Sequence, residues 1–250
     1  MFEPETIAVL SIIFFASFIG STFGFGLGII AMPLLALFVD IKTAAPLISM
    51  TGFTISIYNL FLIRKNISFK NVWRLVASSA VGVPFGIYLL KGVGDSYLKI
   101  VLAVIIILFA IYSLFGKIRM SMHADWPAYV FGFAAGVING ACTMGGPPII
   151  IYGALKRWPP TIFRSTLFSF FLPSSIMVMT GQFAAGLMTP GVLRYFLYSI
   201  PLLLICLVIS AKLAQRIPTE RFIRMIHFAL LMLGIFLFVK ESLTVFNMLS

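Results

Sequence analysis

The chain has 250 residues, 61% hydrophobic and 10% charged, with a mean hydropathy of +1.10. A soluble domain carries about 25% charged residues, and one of this size could not bury so much apolar side chain while showing so few charges to water. The net charge of +11 comes from Lys and Arg in short segments between apolar runs, with no basic stripe interleaved with aromatics, so the partner expected is the lipid bilayer and not nucleic acid.

The N-terminus, Met1-Phe2-Glu3-Pro4-Glu5, is acidic where a cleaved signal needs positive charge, and no cleaved leader is expected. Ile7–Val39 is apolar but interrupted at Ser21-Thr22-Phe23-Gly24-Phe25-Gly26-Leu27-Gly28. Three uninterrupted runs follow, at about Thr43–Ile63, Val72–Leu90 and Ser96–Phe115. Pro127–Leu155 is interrupted at Asn139-Gly140-Ala141-Cys142-Thr143-Met144-Gly145-Gly146-Pro147-Pro148. Three more runs complete the chain, at about Thr161–Thr180, Val192–Ala211 and Arg221–Val239. Each uninterrupted run is about 19–21 residues, about 30 Å of helix, and crosses a bilayer. The pieces beside each break are about 11–15 residues, about 17–23 Å, which is too short and predicts re-entrant segments. Continuous apolar runs also exclude an alternating barrel pattern. Cys142 and Cys206 both fall inside apolar runs and form neither a metal-ligand spacing nor a disulfide framework.

The chain repeats itself. Gly26-Leu27-Gly28 matches Met144-Gly145-Gly146, Val72-Trp73-Arg74 matches Val192-Leu193-Arg194, and Leu98-Lys99-Ile100 matches Phe222-Ile223-Arg224, at offsets of 118, 120 and 124. This order suggests a duplication, with residues 1–120 as the first repeat and 121–250 as the second, integrated in one membrane domain. Charge chooses the topology. If each broken segment crosses once, Lys and Arg divide evenly between the faces. If each returns to its own side, one face holds Arg64, Lys65, Lys70, Arg74, Lys117, Arg119, Lys156, Arg157, Arg164, Lys212, Arg216, Arg221 and Arg224, and the other only Lys42, Lys91, Lys99, Arg194 and Lys240. Short cytoplasmic loops carry the positive charge, so the second arrangement is expected. The fold class predicted is all-α and polytopic, with two inverted repeats, each of one broken re-entrant hairpin plus three transmembrane helices. Both termini are then non-cytoplasmic.

A backbone break in hydrocarbon must be buried in protein or line a cavity. Gly24, Gly26, Gly28, Gly145 and Gly146 let the chain turn and approach a ligand, and each break leads into a short helix. Pro147 and Pro148 suit a first helical turn. A helix start offers free N–H donors and about half a positive charge, and two facing starts make an anion site without a lysine. Polar side chains available there are Ser21, Thr22, Asn139, Cys142 and Thr143. Gly-rich breaks also serve plain helix packing, but a matched pair in two halves favours a site.

The first break and its sequel, GFGLGIIAMPLLALF, resembles the Gly-rich motif of the sulfite exporter TauE/SafE family, which includes organosulfonate permeases. The second, GACTMGGPPIIIYGAL, is similar to that family's Gly-Gly-Pro motif. The resemblance covers nearly the whole chain and implies an inner-membrane carrier for small sulfur-containing anions such as sulfite, thiosulfate or sulfonates, with no cofactor. Phe25 and Leu27 stand where the family often has a denser glycine run, which bears on cavity shape. The family is usually drawn with about eight spans, where the charges here favour six and two hairpins.

Arg164 could hold two oxygens of a sulfur oxyanion, or act as an interfacial anchor. Ser49, Thr51, Ser165, Thr166 and Ser169 could line the same cavity, though membrane hydroxyls often bond their own backbone. Cys142, in the break itself, is a substrate contact or a small hydrophobe. His123 and His227 are expected at the interface. No Asp, Glu or His is expected at membrane depth, since Glu3, Glu5, Asp40, Asp95, Asp125, Glu220 and Glu241 fall at predicted ends or loops. That opposes a carboxylate proton relay, a metal-cation carrier and an intramembrane hydrolase. An inside-negative potential favours anion export. Cation-coupled uptake of a related anion and a non-transporting scaffold are the alternatives.

Overall fold

The computed structural model describes residues 3–23, 26–63, 69–115, 122, 124–213 and 219–249. Gly24, His123 and the loop cations Arg64, Lys65, Lys117, Arg119 and Arg216 lie outside the described residues. The described chain forms helices α1 (Pro4–Phe23), α2 (Leu27–Leu35), α3 (Ile41–Ile63), α4 (Phe69–Gly92), α5 (Asp95–Phe115), α6 (Pro127–Cys142), α7 (Gly146–Leu155), α8 (Pro160–Ala184), α9 (Pro190–Leu213) and α10 (Thr219–Leu249). Proline opens α1, α6, α8 and α9, where its missing N–H has no helical partner to lose.

Seven helices are long and apolar enough to cross a membrane, one more than the six runs expected, and the addition is α1. At 20 residues, about 30 Å, α1 is longer than a short hairpin arm. The polar residues taken for the start of the break are helical instead. Thr22 Oγ1 donates back to the Phe18 carbonyl (2.7 Å), and Ser21 Oγ accepts from Asn59 Nδ2 (2.8 Å) and lies 2.9 Å from Ser210 Oγ. With those groups satisfied sideways, the helix continues to Phe23.

α6 and α7 form a hairpin. Asp125, just before α6, pairs with Lys156, just after α7 (2.8 Å), and the Met122 N–H donates to the Leu155 carbonyl (2.9 Å). Arg74, early in α4, holds the same carboxylate (2.6 Å), so this hairpin opens where α4 begins. α1 and α2 form the other. α2 folds back so that Leu27 lies against Gly20. α1 starts beside α9, Tyr195 donating to Glu5 (2.8 Å), while α2 leads to α3, whose Ile41 N–H donates to Asp95 at the start of α5 (2.8 Å). Ser49 of α3 sits 2.7 Å from Gln182 near the end of α8, so these helices are antiparallel. α1 therefore begins, and α2 ends, at the face where α4 and α8 finish. The two hairpins open on opposite faces.

The two halves interlock. α4 lies along α6, α1 along α9, α3 against α8 and α5 against α10. Lipid tails are as apolar as leucine, so this association depends on close packing. The tightest seam is α4 with α6. Gly132, Gly136 and Gly140 of α6 lie on the backbone of Leu75, Ser79 and Val83, and Gly82 and Gly86 of α4 lie on Phe133 and Val137, with no room for a methyl at any of them.

Two residues expected at interfaces or ends are inside the protein. His227 is 4% exposed, set edge-on against Phe109 of α5. Glu241 is also 4% exposed, because α10 runs on to Leu249 instead of ending near Val239.

Candidate functional site

The two breaks touch. A Cβ on Gly28 would run into the Thr143 carbonyl, so the start of α2 packs backbone-to-backbone on the turn between α6 and α7. Gly26 takes φ 112°, a left-handed turn costly to residues with a Cβ, and Thr143 turns the other break at φ 52°. Between them lies a cavity of about 60 Å³, several times the ~10–15 Å³ that admits one water. Its walls come from both breaks, from Ile48, Gly52, Ile55 and Ser56 of α3, and from Phe168, Phe171 and Ser175 of α8. No charged side chain lines it among the described residues.

The two helix starts are not equivalent. The first α2 hydrogen bond runs from the Ile30 N–H to the Gly26 carbonyl (2.8 Å), so the amides of Leu27, Gly28 and Ile29 have no acceptor within the helix. Those residues line the cavity. At α7 the Gly145 N–H donates to Asn139 Oδ1 (3.2 Å), and Pro147 and Pro148 have no N–H, which leaves Gly146 as the amide at that tip. The second break thus contributes its dipole and one donor. Ser56 and Ser175 are buried, line the cavity, and make no hydrogen bond among the described residues, so their hydroxyls are available to a guest.

Of the expected site residues, Gly26, Gly28, Asn139, Thr143, Gly145 and Gly146 come together on the cavity. Asn139 acts on the turn itself: its Oδ1 takes the Gly145 N–H and its Nδ2 donates to Ser174 Oγ (2.8 Å). Thr143 Oγ1 donates to the Ala45 carbonyl (3.1 Å), tying the second break to α3. Thr22, Cys142 and Arg164 do not line the cavity. Cys142 is fully buried on α6, and Thr22 is spent on its own helix. Arg164 Nη2 donates to the Ser21 carbonyl (2.8 Å), one of the last carbonyls of α1, and its guanidinium lies 5.8 Å from the Phe168 ring centre. It caps α1 behind one wall of the cavity.

None of the five hydroxyls expected there is in the cavity lining, and those of Thr166 and Ser169 are buried with no hydrogen-bond partner among the described residues. Ser49 faces Gln182, and Thr51 and Ser165 bond the carbonyls of Leu47 and Ile162. Ser56 and Ser175 were missed, although Ile48, Gly52, Ile55 and Ser56 follow the i, i+4, i+7, i+8 spacing of one helix face. The sequence signal was this spacing, with Gly52 and Ser56 one turn apart on it.

Comparison with curated proteins and with solved structures finds no match for this chain. The family description sulfite exporter TauE/SafE matches residues 9–237, which takes in both breaks and every residue that lines the cavity. The chain belongs to the sulfite exporter TauE/SafE family, whose members are membrane transporters and not enzymes.

Proposed function

We propose that the protein carries a small sulfur oxyanion, sulfite or thiosulfate, out of the cell, and that the anion rests between the two breaks. The observation that carries this reading is the cavity between the breaks, lined by the first residues of α2, whose amides have no acceptor within that helix. Amides aimed by a helix start favour an anion by dipole and hydrogen bond without a lysine. Gly146 and the hydroxyls of Ser56 and Ser175 give the remaining oxygens donors from three other helices. A site with no fixed cation holds its guest loosely enough to release it, as transport requires. A cavity of about 60 Å³ suits four or five heavy atoms better than a longer organosulfonate.

In this reading residues 1–120 and 121–250 are inverted repeats, and the packing pattern supports it: exchanging the halves turns the α1–α9 pair into the α6–α4 pair and returns α3–α8 and α5–α10 to themselves. The protein sits in the inner membrane with both termini outside the cytoplasm. Arg164 holds the end of α1 closed over the cavity from the side where α8 begins.

The test is efflux of labelled sulfite, thiosulfate and taurine from liposomes holding the purified protein. Sulfite and thiosulfate should leave faster than taurine, and the double variant Ser56→Ala/Ser175→Ala should raise KM for both. Preference for taurine would move the reading to an organosulfonate permease. No flux of any of the three would leave a scaffold.

A further inference from the structure

His227 is a buried ionisable group that the carrier reading does not use. It lies within the candidate span Arg224–Asn247 and is 4% exposed. A buried ionisable side chain within a candidate span is costly to keep, and such residues commonly serve transport. A small void of about 10 Å³ separates the His227 ring from the first break, and it is walled by Ile19, Phe23, Gly26, Ile29 and Phe109. Gly26 and Ile29 also line the anion cavity. His227 and the anion thus stand on the two sides of one layer of backbone.

The ring has a hydroxyl neighbour. Ser113 Oγ lies 3.0 Å from Nδ1 and 3.1 Å from Nε2. A hydroxyl donates to neutral imidazole and accepts from imidazolium by rotating its hydrogen. The other titratable or charged groups near this level are few among the described residues. α5 brings Tyr112, and α10 brings Arg224, one turn earlier and exposed. α2 brings none, and the carboxylate of α1, Glu5, is at its far end.

We propose that protonation of His227 and occupation of the break cavity by an anion are linked, so that the carrier takes up a proton as it binds its anion. The inference rests on the anion reading of that cavity. A negative guest beside Gly26 attracts a positive ring through a thin layer of low dielectric, and linkage makes the effect reciprocal. The proton passes from water to an imidazole nitrogen, and no covalent bond to the anion forms.

Calorimetric titration of the purified protein tests this with thiosulfate and methanesulfonate, which gain no proton near neutral pH. Titrations at one pH in two buffers of different ionisation heat count protons taken up per anion. The wild type should take up a fraction of a proton near pH 7, and its affinity should fall on the order of tenfold between pH 6 and pH 8. His227→Gln should bind with the weaker affinity at both pH values and take up none. Binding without proton uptake in the wild type overturns the inference while leaving the carrier reading standing. Uptake and pH slope unchanged in His227→Gln overturn it as well. If neither anion binds at any pH, the reading of the cavity fails first and takes this inference with it. The wild-type proton count holds even if the variant misfolds.

Discussion

The same methyl group meets two different surroundings at Gly28 and Gly146. At Gly28 it meets the Thr143 carbonyl, which belongs to a backbone already held by the bond from Thr143 to Ala45. At Gly146 its nearest neighbour is Ile29 Cδ1 at 3.3 Å, the far end of a flexible side chain. Gly28→Ala should therefore cost on the order of 2 kcal/mol from overpacking, lowering Tm by several degrees and abolishing flux. Gly146→Ala should keep a near-wild-type Tm while its methyl crowds the cavity and raises KM. Thermal unfolding and concentration-dependent efflux of both variants check this, and equal losses of Tm would contradict it. Arg164 gives a second contrast. Its bond goes to the Ser21 carbonyl and its side chain is absent from the cavity lining. Arg164→Met should lower Tm by removing a cap from α1, with KM for the anion within about threefold of wild type. A KM raised tenfold or more at unchanged Tm would make Arg164 an anion ligand instead.

At the scale of the helices, one carboxylate clamps the open end of the second hairpin. Asp125 holds Lys156 at the end of α7 and Arg74 at the start of α4. Hydrogen bonds from Lys156, then Arg74, hold its pKa down from 3.8 to about 2. A depressed carboxylate pKa adds stability that is fully present above the unfolded value and lost as pH falls through the folded one, so this clamp loosens between pH about 4 and about 2. Amide hydrogen exchange around 125–128 and 155–157 should speed up across that range, and Asp125→Asn should show the faster exchange already at pH 7. The α4–α6 seam is the firmer attachment. Gly136→Ala should lower Tm because its methyl meets the Ser79 backbone, whereas Gly92→Ala, in open space at the end of α4, should not. Much of this level was legible in the sequence, because glycine and proline clusters inside apolar runs mark where the helices break. The length of α1 was not, since whether Ser21 and Thr22 end a helix depends on Asn59 and Ser210 reaching Ser21 from α3 and α9. The face of α3 and α8 that meets the cavity was legible only in part, because spacing gives a helix face but not which face turns inward. His227 became visible only once α10 was laid against α5.

Over the whole molecule, the outer surface carries large apolar side chains such as Phe15, Phe61, Tyr88, Leu108, Leu197 and Phe236, while the cavity between the breaks carries no charged side chain among the described residues. The guest then supplies the charge that moves, and the membrane potential acts on it directly. A potential of 100 mV is worth about 2.3 kcal/mol per charge, about fifty-fold in the concentration ratio at equilibrium. Thiosulfate bears two negative charges. Crossing alone it should reach a ratio of about 2,500-fold at 100 mV with equal pH on both sides, and crossing with one proton only about fifty-fold. Liposomes clamped at 100 mV, negative inside, and loaded with labelled thiosulfate separate these cases by the final ratio of outside to inside label. A ratio near fifty supports export of the anion together with the His227 proton through the opposed breaks. A ratio near 2,500 keeps the carrier and removes the proton. A ratio of one, in vesicles that still pass thiosulfate, means that charge is fully compensated by another ion, and the potential is then not what drives export.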